Sequence, residues 1–372
     1  MHWSKQGCTC PHRAGSARRL CGAIGLMLVA MAGCASPAQA LAPPQQMAFY
    51  ADLRDKPLGQ RVMPAGPAVI DWQHQINLKY GQDIRPVAAG ADHPLIPVVR
   101  QVVDELPPQI KRLAERYLLA LYLIEKDFGS GTTEAVRSPD GTWRHAYIAL
   151  NLTELGRTAN AWATWKERST FRDAPGYDLR MTIEDDAQDT VAGAVRFILL
   201  HELGHVLGLG LQAHGFWDAE SLPDATRDSP YLRISWAPTA DGHMKSHWRR
   251  EFPLLDALNF YSFGEAELSL DRAPKVYEAL AGTDFPSLYG ATNVFDDVAE
   301  AFAIYVHTRM LGRLYRVQVY EHGELRTEFR SCIETGACAD KIAALERLLD
   351  ISSGAHGDAD GTRAVARAGG RR

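Results

Sequence analysis

One string constrains this chain more than any other: His201-Glu202-Leu203-Gly204-His205 directly follows the apolar run Phe197-Ile198-Leu199-Leu200. The spacing of apolar residues predicts a helix over residues 187–207. Helical residues four apart share a face, so both imidazoles can reach one ion. Zinc takes imidazole nitrogens at ~2.0–2.1 Å, and two histidines spaced this way fill half of a tetrahedral shell. Glu202 lies beside that face, placed to take a proton from a water that the ion acidifies toward a pKa of ~7. The bland alternative is a pair of buried, hydrogen-bonded core histidines. Burying two His and a Glu unsatisfied in so apolar a helix would cost stability, and that favours a metal site.

The third ligand separates the classes of zinc enzyme. A metzincin would need His at position 211, which is Leu; His214 is displaced by three residues, and no Met-turn follows. The other source is a carboxylate on a second helix. Between residues 287 and 312, Thr292 or Asn293 can cap a helix that buries Val298, Phe302 and Val306 and stops at Gly312. Asp296 and Glu300 then share a face. One carboxylate can bind the ion while the other accepts the second ring N–H of a ligating histidine.

Tyr289-Gly290, Thr292-Asn293 and Ala299-Glu300-Ala301-Phe302, downstream of the HExxH string, make this stretch resemble the anthrax-lethal-factor-like metallopeptidases, a gluzincin group that includes the Pro-Pro endopeptidases. The resemblance covers residues 105–312 in outline and only the two motifs in detail. It implies an α+β zincin-like fold, with a twisted sheet packed on the HExxH helix and a helical lower subdomain. It also implies one zinc ion, a peptide or protein substrate, and a third ligand seven residues after a tyrosine. Carried over, the tyrosine is Tyr289, the ligand position Asp296 and the supporting carboxylate Glu300. The family has Glu where this chain has Asp296. Either the second helix comes closer to reach with the shorter arm, or Glu300 takes the ligand role. Glu202 would be the base and then the proton donor to the leaving amine. Tyr289 would donate to the oxyanion, or else pack at a loop corner.

The ends of the chain point to export. Arg13, Arg18 and Arg19 precede an uncharged run over residues 20–32, too short for the ~20 residues of a spanning helix and suited to a signal peptide. Met31-Ala32-Gly33-Cys34 reads as a lipobox that would lipidate Cys34, whereas Ala38-Gln39-Ala40 offers an ordinary cleavage site before Leu41. With Cys8, Cys10 and Cys21 in the leader and Cys34 lipidated, Cys332 and Cys338 remain to form a disulfide in an oxidising compartment. The expected location is the bacterial cell envelope, as a lipoprotein facing the periplasm and touching the membrane through its N-terminal lipid only. The net charge of −5 gives no general attraction to nucleic acid.

The expected organisation is a signal peptide over 1–33, a tether over 34–48, a loop-rich segment over 49–104, the metallopeptidase domain over 105–350 and a disordered tail over 351–372. Within the domain, 108–116 reads as a helix and 118–125 as an apolar run of strand length. Residues 143–151 read as a strand, here taken as the sheet's edge, where free backbone groups could bind an extended peptide. Residues 153–180 read as an insertion or lid, with Trp162 and Trp165 unassigned. His214, His243 and His247 read as surface residues. Two rival functions stand beside the peptidase: a zinc amide hydrolase acting on cell-wall peptides, and a non-catalytic zinc-binding envelope lipoprotein.

Overall fold

A computed structural model of the chain describes residues 41–219, 222–261 and 264–350. The leader, both cleavage sites, Cys34, tether residues 35–40 and the 351–372 tail lie outside the described residues.

Strands β1 (Val62–Pro64), β2 (Val87–Ala88), β3 (Leu118–Glu125), β4 (Gly131–Arg137) and β5 (Trp143–Asn151) form one mixed sheet. β1 and β5 run parallel to β3, while β2 is antiparallel to it and β4 is antiparallel to β5. The edge expected at β5 is therefore corrected: β5 lies inside the sheet, and the edge on that side is β4. Residues 146–151 of β5 are all buried. A strand covered on both faces reads as a continuous apolar run, and such a run does not mark an edge.

The segment expected to be loop-rich is more regular than its prolines suggest. It carries α1 (Pro67–Lys79) and α2 (Leu95–Asp104) as well as β1 and β2. Pro67 stands at the start of α1, and Pro108 opens α3 (Pro108–Tyr117) in the same way. Proline is pre-shaped for a first helical turn, where its missing N–H is not needed. Val69 and Ile70 of α1 join Tyr50, Tyr122 and Tyr147 in a small core on one face of the sheet.

The other face carries the main core, around α5 (Val191–Gly210). Thr190 caps this helix, its hydroxyl accepting from the Gly193 N–H at 3.2 Å. By length and composition α5 could cross a membrane, but 72% of its most apolar window is buried inside the fold. Residues 153–180 are a wall of this core and no lid. They form α4 (Ala159–Arg168), β6 (Phe171–Arg172) and the start of β7 (Tyr177–Thr182), with Trp162 buried.

Short elements follow: α6 (Asp224–Arg227), α7 (Leu232–Ser235), β8 (Trp236–Pro238), β9 (Met244–Ser246), β10 (Leu268–Ser269) and α8 (Ala273–Ala281). Then comes α9 (Val294–Ile304), which continues as a π-helical turn to Met310. β11 (Arg316–Glu321) and β12 (Glu324–Arg330) join β7 in an antiparallel sheet, and α10 (Cys332–Thr335) and α11 (Ala339–Leu349) end the described chain. Cys332 and Cys338 are joined in a disulfide. The architecture is mixed α+β, with α5 between the main sheet and α9.

Candidate metal centre

The site forms where α5 and α9 touch. A Cβ on Gly204 would stand 2.6 Å from Cα of Ala299, so only glycine lets the two backbones come this close. Gly204 lies between the two histidines, and Ala299 lies one turn beyond Asp296. The contact brings all three side chains to one point: ligand atoms of His201, His205 and Asp296 lie within 4.8 Å of one another. The two Nε2 atoms are 3.2 Å apart, and Oδ1 of Asp296 is 3.7 Å from Nε2 of His201 and 3.4 Å from that of His205. This set of atoms could hold a metal ion. Electron-rich atoms converging in a buried site repel one another unless something positive lies between them.

Asp296 and His201 are held from behind. Asn293 caps α9 through Oδ1, which accepts from the N–H groups of Phe295 and Asp296 at 3.0 Å each. The Asn293 side-chain amide also donates to Oδ2 of Asp296 at 2.5 Å, which keeps Oδ1 turned toward the imidazoles. His201 donates its Nδ1–H to Oε1 of Glu300 at 2.8 Å, so its Nε2 carries the lone pair. Oε1 of Glu300 also accepts from Lys166 Nζ at 3.1 Å, and Oε2 accepts from the Ser287 hydroxyl at 2.7 Å. Both Glu300 oxygens are thereby engaged away from the ligand cluster, and the carboxylate that joins the two imidazoles is Asp296. Burial works against the charge on Glu300, but Lys166 and His201 hold its carboxyl down to about 2.

Glu202 faces β4. The Thr133 hydroxyl donates to its Oε2 at 2.6 Å, and a Cβ on Gly131 would stand 2.8 Å from its Oε1. The strand thus grips one oxygen and leaves room for the other. Glu202, both histidines and Asp296 line a cleft whose walls include Tyr80, Phe128, Trp162, Trp217, Tyr261 and Tyr289. The Tyr289 and His201 ring centres are 5.5 Å apart. Burial, followed by the charge on Asp296, pushes the Tyr289 phenol well above its ordinary range, so it stays a donor.

His214, expected at the surface, is buried instead, and this is a correction. Its Nδ1–H donates to the Gly215 carbonyl at 2.9 Å and its ring packs against Gly208, Phe295 and Trp217. Burial lowers its pKa to about 3, so the ring is neutral packing around the site. His243 and His247 are exposed. Sequence reasoning gave no role to Lys166, Thr133, Ser287 or Tyr261. Ser287 stands in the same string as Tyr289 and could have been picked up there. Lys166 and Thr133 reach the site only through the packing of α4 and β4, which no local pattern announces. Compared with known proteins, the chain matches no family model, no curated protein and no solved structure.

Proposed function

We propose that this cleft hydrolyses peptide bonds with zinc as its metal, held by His201, His205 and Asp296. The observation that carries the reading is the spacing of the three ligand atoms. Bonds of ~2.0–2.1 Å in a tetrahedral shell place neighbouring ligands about 3.3–3.4 Å apart, and the three separations here are 3.2, 3.4 and 3.7 Å. When bound, zinc supplies Lewis acidity that polarises a carbonyl and makes water a nucleophile near neutral pH.

The chain's own residues do the rest. Glu202, positioned by Thr133, takes the proton of the attacking water and passes it to the leaving amine. Tyr289 donates to the oxygen that becomes negative. Gly131, Thr132 and Thr133 of the edge strand line the cleft. Among the described residues the outer edge of β4 is bridged only at Arg137, by Gln46. An extended peptide can add to that edge and run past Glu202. The Cys332–Cys338 disulfide suits an oxidising compartment. With the apolar leader it supports export to the cell envelope.

The test is digestion of a peptide library by the zinc-loaded full chain beside a Glu202→Gln variant. Cleavage should fall by about 10²–10⁴ in the variant, the usual worth of a general base, while bound zinc is unchanged. Equal cleavage by the two proteins would refute Glu202 as the base, and absence of any peptide product would refute the peptidase reading.

A further inference from the structure

We propose that Lys166 is a positioning residue of this centre, acting on His201 through Glu300 and on Tyr289 directly; this rests on the zinc-peptidase reading above. Lys166 comes from α4, far in sequence from either motif, yet lines the cleft. Its side chain is 8% exposed and that of Glu300 is wholly buried. A buried carboxylate without a nearby cation is strongly disfavoured, and hydrogen bonds from neutral groups only partly offset that cost. The Ser287 hydroxyl and His201 supply such bonds to Glu300, and Lys166 supplies the opposite charge, at 3.1 Å from the same Oε1 that accepts from His201.

The shared oxygen makes the lysine matter to the metal. Oε1 can face Nδ1 of His201 only while the carboxylate stays where Lys166 and Ser287 hold it. If Lys166 is removed, the uncompensated carboxylate turns toward solvent or another donor, and the His201 ring loses the bond that fixes its orientation and tautomer. The same ammonium lies over the face of Tyr289, 4.2 Å from the ring centroid, and 5.8 Å from that of Trp162. Both distances are within the ~6 Å reach of a cation–π contact. One cation therefore ties the ligand's supporting carboxylate to the phenol that would serve the oxyanion. Glu202 is positioned by Thr133 and Asp296 by Asn293, so Lys166 acts on His201 and Tyr289 and leaves those two carboxylates in place.

The experiment is zinc titration against a competing chelator on the full chain, comparing wild type, Lys166→Met, Glu300→Gln and the double variant, with each metal-free fold checked by circular dichroism. Lys166→Met should weaken zinc binding by about 10- to 100-fold, the usual effect of losing a supporting partner. On the Glu300→Gln background, where Lys166 no longer has the Glu300 charge to compensate, the same change should alter affinity by no more than about twofold. This comparison also serves if the single variant fails to fold, because the double variant carries neither buried charge. Wild-type affinity in Lys166→Met would overturn the inference while leaving the zinc site intact. So would an undiminished loss on the Glu300→Gln background, which would mark Lys166 as ordinary core support. A wild-type chain that binds no zinc would remove the parent reading and this inference together.

Discussion

At the scale of single residues, the site is specified by how few choices each side chain has. Among the described residues, Glu202 has one close hydroxyl donor, Thr133, at 2.6 Å. Hydrogen bonds to a charged group contribute about 1.5–3 kcal/mol, so Thr133→Val should lower kcat/KM about tenfold or more while zinc content stays at the wild-type level. A variant with unchanged kinetics would mean that Gly131 and the cleft walls suffice to aim Glu202. The sequence made His201, Glu202 and His205 legible, because a helix with a known period fixes their relative positions. It left Asp296 and Glu300 open, because both lie on one face of one helix. Asn293 and Lys166 separate them: the first turns Asp296 Oδ1 toward the imidazoles, the second engages Glu300 behind His201. His214 misleads for the opposite reason. It lies beyond the helix end, and only the close approach at Gly208 shows that it is buried.

At the scale of elements, the crossing of α5 and α9 decides whether the short arm of Asp296 reaches the two imidazoles. Gly204 against Ala299 provides the close approach. Gly204→Ala would ordinarily favour a helix by about 1 kcal/mol, but here the added methyl meets backbone, and overpacking of this kind costs about 1–3 kcal/mol. The variant should unfold at lower temperature and bind zinc at least about tenfold more weakly, since a 1.4 kcal/mol penalty on the ligand geometry is a factor of ten. A more stable variant with full affinity would show that the helices can part without disturbing Asp296. Both helices were readable from their periods, and α9 also from its cap. The edge strand was not: β4 is short and mixed in composition, and its place beside β5 is set by pairing across the sheet. The N-terminal helices were obscured because their prolines mark starts as well as breaks.

At the scale of the whole molecule, burial of ionisable groups sets how the fold responds to acid. His307, in the π-helical turn after α9, donates its Nε2–H to the Ile183 carbonyl at 2.7 Å. Burial lowers its pKa from 6.5 to about 4. The unfolded chain therefore binds a proton that the folded chain refuses, and stability falls as pH drops from about 6.5 toward 4. Between pH 7 and pH 5 this one group should cost about 2 kcal/mol. Urea unfolding of the metal-free protein at both pH values, beside His307→Gln, checks the sign: the wild type should lose more stability than the variant, and equal losses would exclude His307 as a source. The last described helix is tied in by a second buried group. Lys341 on α11 reaches Asp297, the residue after Asp296, at 2.8 Å, and Trp236 donates to the same carboxylate at 2.9 Å. Neither partner carried a sequence signal, because buried ion pairs of this kind depend on elements that meet only in the fold.

The most direct measurement is metal content of the purified full chain by mass spectrometry, after dialysis against limiting zinc, for wild type, His201→Ala, Asp296→Ala and Glu300→Ala. The ligand set His201, His205 and Asp296 predicts one zinc per wild-type chain, none in the His201 and Asp296 variants, and weakened but detectable zinc in the Glu300 variant. Zinc retained in Asp296→Ala and lost in Glu300→Ala, or no zinc in the wild type, would contradict it.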